Sequence, residues 1–213
     1  MNSARGKLIT LEGGEGAGKS TLLAGLFSHL QQRGIDVLQT REPGGTALGE
    51  SVRTLVLDPS LRHIVPQTEA LLMFAARAQL VREALRPALV AGQWVLCDRY
   101  TDASYAYQGG GRGLDAGLIA QLEAIATEGL KPDLTLLLDL PVAHGRERTH
   151  VRGDADRIER EDDGFFERVR RVYLARAAAE PKRFRVLDAS RPADVVLAEA
   201  IAAIEAMQRK ADT

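Results

Sequence analysis

Leu8-Ile9-Thr10-Leu11-Glu12-Gly13-Gly14-Glu15-Gly16-Ala17-Gly18-Lys19-Ser20-Thr21 is the stretch on which the fold turns. Leu8–Leu11 is a short apolar, β-type run. Beyond the glycines, Leu22, Leu23, Leu26, Phe27 and Leu30 fall on one face at helical spacing. Gly34 follows, where a helix often ends. Gly13–Ser20 completes the G-x-x-x-x-G-K-[ST] pattern, and it stands between a predicted strand and a predicted helix, the context that gives this spelling its mechanism. Glycines let successive backbone N–H groups converge on phosphate oxygens without Cβ clashes. The helix N-terminus adds partial positive charge. Lys19 is placed to reach β- and γ-phosphates, and the Ser20 hydroxyl to ligate Mg²⁺. A chance match in a chain this long is on the order of one in a hundred. A nucleoside triphosphate site is therefore expected at Gly13, Gly14, Glu15, Gly16, Ala17, Gly18, Lys19, Ser20 and Thr21.

Outward from this loop, further short β-type runs lie at Val37–Thr40, Trp94–Cys97, Leu134–Leu138 and Arg185–Leu187. Helix-length segments separate them. Leu114–Glu128, for example, repeats the apolar pattern with Leu118, Ile119, Leu122 and Ile125. Strands alternating with helices predict βαβ units, hence a P-loop α/β fold with a five-stranded parallel sheet covered by helices on both faces. Such sheets bind ligands beyond the carboxyl ends of their strands. No linker or repeat divides the 213 residues, so a single domain over 1–213 is expected. Gly109–Gly113 reads as a flexible loop.

Composition excludes several classes. With 45% apolar and 27% charged residues, a disordered chain is ruled out. The longest apolar run, Ala70–Ala76, is far short of the roughly 18 residues a membrane span requires. Leu8–Leu11 is too short for a signal-peptide core, and one cysteine, Cys97, forms no internal disulfide, so the expected compartment is the cytoplasm. A net charge of −1 argues against a dedicated nucleic-acid binder. His29, His63, His144 and His150 show no metal-ligand spacing.

Three classes share the phosphate loop. A GTPase is expected to carry Asp-x-x-Gly and Asn-Lys-x-Asp, and neither spelling occurs. A larger motor or ATPase needs partner domains that 213 residues cannot hold. A small kinase needs a second anion site, because donor and acceptor repel one another and a phosphate monoester alone brings roughly −1.5 to −2 charges. Arginines at other strand ends meet that need: Arg41 follows the second strand and Arg99 the third, with Arg53 twelve residues beyond Arg41.

With those residues in place the chain resembles the bacterial thymidylate kinase family. The resemblance rests on Leu-Glu-Gly-Gly-Glu-Gly-Ala-Gly-Lys-Ser-Thr from Leu11, Thr-Arg-Glu-Pro-Gly-Gly from Thr40 and Phe-Ala-Ala-Arg-Ala-Gln from Phe74. Asp-Arg-Tyr from Asp98, Ala-Tyr-Gln-Gly-Gly-Gly-Arg-Gly from Ala106, Lys-Pro-Asp-Leu-Thr from Lys131 and Asp-Arg-Ile-Glu from Asp156 continue it. It runs from about Lys7 to Ser190, in the family's order and spacing. It implies phosphorylation of dTMP to dTDP by MgATP in a homodimer. By carry-over, Glu15 takes the sugar 3′-hydroxyl. Arg41, Arg53 and Arg99 hold the acceptor phosphate, and Asp98 reaches Mg²⁺ through water. Arg77 reads the base, Ser104 and Gln108 line its pocket, and Tyr107 fills the space beside C2′.

One position departs from the family pattern. The base-stacking Phe is expected four residues before Arg77, where Met73 stands; Phe74 is displaced by one residue, about 100° around a helix. Met73 and Phe74 both remain candidates. The Arg146–Arg171 stretch holds eight arginines and eight acids. Composition alone reads it as a solvated helix laced with ion pairs. The resemblance reads 146–164 as an arginine-bearing lid. The loop residues Glu15, Gly16 and Ala17 supply no base, and in this family that goes with a catalytic lid arginine. Arg152 matches that position best, ahead of Arg148, a candidate ATP contact, and Arg157. Lys19, Asp98, Arg99 and Arg152 form the expected catalytic set. A kinase for another pyrimidine monophosphate is the alternative; an adenylate-kinase-like chain would show Asp-Gly-Phe-Pro-Arg, which is absent. A regulator without turnover is the reading from another class.

Overall fold

A computed structural model describes residues 5–61, 63–150 and 155–211. Its order is β1 (Leu8–Gly13), α1 (Lys19–Gln32), β2 (Val37–Arg41), α2 (Ala47–Leu57) and α3 (Pro66–Leu80). A π-helical turn (Val81–Leu85) carries α3 into α4 (Arg86–Val90), close to Pro87, which has no N–H to continue the ladder. β3 (Trp94–Asp98) follows, then α5 (Thr101–Ser104), which runs on through a π-helical segment (Tyr105–Gly111), and α6 (Ala116–Thr127). The chain ends with β4 (Leu134–Asp139), α7 (Val142–His150), α8 (Asp163–Ala179), β5 (Phe184–Asp188) and α9 (Ala193–Ala211).

All five predicted strands form, and they join in one parallel sheet of order β2-β3-β1-β4-β5. Leu8, Ile9 and Leu11 of the central strand are wholly buried, each worth roughly 1.5–3 kcal/mol of transfer free energy. Alternation sends Ile9 and Leu11 to one face against Leu22, Leu26 and Ala200, and Leu8 to the other against Leu80, Leu85 and Leu89. Helices therefore cover both faces. The chain leaves β1 towards β2 and leaves β3 towards β4 on the opposite side, so β1 and β3 part at their carboxyl ends, where such sheets bind ligands. Register aligns Arg41 with Asp98, and Asp98 with Leu11, which brings three strand ends to one edge.

Two sequence expectations are corrected. Gly109–Gly113 is not a flexible loop: the helical segment runs to Gly111, whose missing side chain lets α8 pack in, since a Cβ there would lie 2.4 Å from the Phe165 ring. In α6 the four apolar residues do not form one buried face. Ile119 is buried and Leu118 and Leu122 partly so, but Ile125 is 74% exposed, because the core side of this helix is set by Ile119 and Ala126. Among the described residues no helix is long and apolar enough to cross a membrane.

Candidate active site

The glycine-rich loop takes its shape from backbone that side chains would forbid. Gly16 has φ +70°, and a Cβ on it would lie 2.3 Å from the Gly145 carbonyl oxygen. A Cβ on Gly145 would in turn meet the Glu15 carbonyl oxygen at 2.5 Å. The loop and α7 thus touch backbone to backbone, and the helix leading into the expected lid rests on the phosphate loop itself. Lys19 Nζ donates to the carbonyls of Gly13 (3.1 Å) and Gly14 (2.8 Å). Arg148 Nη1 donates to the Gly16 carbonyl at 3.4 Å.

A cavity of about 220 Å³ opens above the ends of β1, β2 and β3. Glu15, Lys19, Ser20 and Thr21 line it together with Arg41, Arg53, Arg99, Met73, Tyr107 and Gln108. Asp98 lines it as well, and its Oδ1 is buried without a hydrogen-bond partner among the described residues. Asp156, Ile158 and Glu159, within the expected lid segment, complete the lining.

Arg99 is the centre of the polar network. It sits just past β3 at φ +70°, a left-handed conformation that costs a non-glycine residue roughly 1–2 kcal/mol. Its guanidinium donates to the Gly13 carbonyl, to Tyr173 Oη and to Glu15 Oε1 (2.6 Å), and lies 4.7 Å from the Tyr107 ring centroid. Tyr107 Oη also donates to Glu15 Oε1, at 3.0 Å. Burial works against the Arg99 charge, but Tyr107, Glu15, Tyr173 and Asp98 outweigh it and raise its pKa. Burial likewise works against the Glu15 carboxylate, yet Arg99, Lys19, Tyr107 and Arg53 hold its pKa below the ordinary value. Lys19 is lowered by burial and by the Arg99 charge, and Arg53 by burial and by Arg41. Mutual repulsion among these cations leaves a positive field that an anion relieves.

Met73 and Arg77 stand one turn apart on α3, but at different depths. Met73 lines the cavity, whereas Arg77 is wholly buried behind it. Arg77 donates to Glu42 Oε2 (2.7 Å), Ser104 Oγ (3.0 Å) and the Tyr100 carbonyl (3.0 Å). Phe74 points elsewhere: it packs on Ile119 and Ala126, with its ring centroid 4.5 Å from the Arg77 guanidinium carbon. Ser104 is fully buried, and Gln108 reaches the cavity one turn beyond it. Arg152 lies outside the described residues. Four other arginines of that stretch are engaged in the fold: Arg146 with Glu159 and Glu161 carbonyls, Arg157 with Glu69, Arg168 with Gly110 and Gly111 carbonyls, Arg170 with Asp139.

Sequence reasoning missed the acids behind these cations. Glu12 accepts from Tyr173 Oη (2.8 Å) and the Tyr100 N–H (2.8 Å), and burial together with Asp102 pushes its pKa up to about 8. An acid closing an apolar strand run was a visible signal for it. Glu42 and Glu69 gave none, because their partners are far away in sequence.

Comparison with known proteins agrees with this cleft. The thymidylate kinase family model matches residues 11–200. The thymidylate kinase of Alcanivorax borkumensis is 53% identical over 203 residues, 95% of this chain and 98% of that protein. That of Alkalilimnicola ehrlichii is 57% identical over 194 residues, 91% and 89% of the two chains. The crystal structure of thymidylate kinase from Ehrlichia chaffeensis superposes with a TM-score of 0.79 at 31% identity, covering 94% of this chain and 99% of that one. With a glycine-rich loop and three arginines around one cavity at the carboxyl ends of the strands, and a family match over nearly its whole length, the chain belongs to the thymidylate kinase family.

Proposed function

We propose that this ATP-dependent dTMP kinase transfers the γ-phosphoryl group by aligning two anions across the cavity, with donor phosphates on the glycine-rich loop and acceptor phosphate on the arginines. What supports this reading is that one cavity is lined both by Lys19, Ser20 and Thr21 of the loop and the start of α1 and by Arg41, Arg53 and Arg99 from the ends of the neighbouring strands and α2. The acceptor is already an ionised phosphate, so no general base is needed; positioning and charge neutralisation supply the catalysis. Asp98, whose Oδ1 is buried without a hydrogen-bond partner among the described residues, and Ser20 would hold a Mg²⁺ ion, which would supply neutralisation of phosphate charge. Glu15 faces the sugar, oriented by Arg99 and Tyr107. Arg152 is the lid arginine that meets charge developing during transfer, in a single domain whose lid spans about 146–164. Leu48, Leu55, Leu71 and Ile125, large apolar side chains 43–74% exposed on α2, α3 and α6, support a homodimer through this layer. The compartment proposed is the cytoplasm.

Met73 and Gln108 on the cavity lining support a base seated against α3 and the helical segment after β3; Arg77 does not line the cavity and must shift from its bonds to Ser104 and Tyr100 to reach that base. Arginine offers only donors. A carbonyl at C4 of the base satisfies it, and the amino group of cytosine does not. A site built for one pairing rejects an analogue that cannot make it by as much as 10⁴–10⁵-fold, whereas a missing methyl costs about 10–200-fold. Coupled ADP-release assays should therefore rank kcat/KM as dTMP, then dUMP, with dCMP nearly inert. Equal turnover of dCMP and dUMP would replace this reading with a broader pyrimidine monophosphate kinase.

A further inference from the structure

Gln108 is buried, and its two amide ends have opposite fates. Nε2 donates to Glu69 Oε1 at 2.9 Å, whereas Oε1 is buried without a partner among the described residues, on a side chain that lines the cavity. Glu69, in the first turn of α3, is 1% exposed. It also accepts from Arg112 Nε (3.2 Å) and from Arg157 Nη2 (2.5 Å). Burial disfavours its charge, but Gln108, Arg112 and Arg157 overcome this and hold its pKa below the ordinary value. Glu69 is therefore an ionised carboxylate, which only accepts. An isolated glutamine amide has two nearly equal settings; beside this carboxylate it has one, with the nitrogen on Glu69 and the oxygen left to accept.

We infer that Glu69 is a positioning residue for base selection. By fixing the Gln108 amide it presents a lone acceptor to the base, and so requires a base that offers a ring N–H there, as the imide of a pyrimidine-2,4-dione does. Cytosine carries a lone pair at that ring nitrogen, so acceptor would face acceptor. The inference rests on the proposal that the base lies against Met73 and Gln108. The same carboxylate holds Arg157, which also donates from Nε to the Val56 carbonyl (2.7 Å) and from its backbone N–H to Leu57 (3.1 Å). Ile158 and Glu159, which line the cavity, follow directly. One buried acid thus orients the base-reading amide and anchors the chain at Arg157, within the expected lid segment.

The test compares Glu69→Gln with Gln108→Leu on dTMP and dCMP, reading kcat and KM separately. Glu69→Gln frees the amide to turn its donor outward. The dTMP KM should rise, kcat should change less, and the dTMP-to-dCMP ratio of kcat/KM should narrow by about tenfold or more, the worth of one hydrogen bond. In the double variant the ratio should be no narrower than in Gln108→Leu alone, because Glu69 acts on the ratio through Gln108. If Gln108→Leu leaves the ratio unchanged, the base does not meet Gln108 and the pocket reading itself fails. If Gln108→Leu narrows the ratio and Glu69→Gln lowers both nucleotides equally, Glu69 is merely structural and this inference fails. Should Glu69→Gln not fold, the wild-type protein answers by NMR. The Gln108 side-chain amide, identified by its loss in Gln108→Leu, should exchange slowly with water before any nucleotide is added; rapid exchange refutes the inference.

Discussion

Replacing Gly145 by alanine sets helix propensity directly against tertiary contact. Gly145 lies within α7 with ordinary helical φ, and alanine in such a position normally stabilises a helix by roughly 0.5–1 kcal/mol. The added Cβ would lie 2.5 Å from the Glu15 carbonyl oxygen, against 3.4 Å or more for ordinary contact, so the two backbones must separate by close to 0.9 Å. Neither side can yield by rotating a side chain. Overpacking of this kind costs about 1–3 kcal/mol, enough to outweigh the helix gain. The net loss of about 0.5–2 kcal/mol, at roughly 2–4 °C per kcal/mol in a domain of this size, should lower Tm by about 1–8 °C. The displaced peptide carries Glu15, which bonds both Arg99 and Tyr107, so kcat should drop on the order of 10²-fold, the loss associated with misplacement of about 1 Å. Thermal melts and coupled ADP-release kinetics measure both. Gly109→Ala is the matched stability control, since its methyl meets nothing nearer than 3.9 Å. A Gly145→Ala enzyme with unchanged or raised Tm and kcat within twofold of wild type would refute the close approach of loop and helix.

Three further outcomes follow from the cleft. Lys19→Ala should abolish turnover and leave dTMP binding nearly intact by calorimetry if, as proposed, Arg41, Arg53 and Arg99 hold the acceptor; parallel loss of both would overturn the division between donor and acceptor residues. Arg152→Ala should cut kcat by as much as about 10³-fold with little change in the dTMP KM, as expected of a group acting on developing charge; a variant within a few-fold of wild type would remove Arg152 from the catalytic set. Glu12 is raised from 4.5 to about 8, so the folded state binds a proton that the unfolded chain releases between those values. Stability should therefore fall as pH rises across that window, at up to about 1.4 kcal/mol per unit, and Glu12→Gln should flatten the slope of Tm against pH between 5 and 8. An unchanged slope would show that Glu12 is ionised throughout.

The sequence by itself determined the architecture of this protein. Apolar runs alternating with helical patterns specified five strands, and a glycine-lysine spelling between the first strand and helix specified a phosphate loop, because both depend on residues close along the chain. Arg41 and Arg99 were legible for the same reason: Arg41 closes β2, Arg99 directly follows β3, and a parallel sheet carries all such ends to one edge. What required tertiary structure was the identity of each partner. Arg157 lies in a charge-rich stretch and bonds Glu69, 88 residues away, and nothing local distinguishes it from Arg146 or Arg170. Phe74 and Met73 are equivalent by composition, and only the packing of α6 against α3 turns one to the core and the other to the cleft. Gly145 is an unremarked helical glycine until the phosphate loop is laid against it. Periodicity reports which side of an element is apolar; it carries no information about which distant backbone, acid or ring will meet that side, and those meetings set the charges and positions on which the site depends.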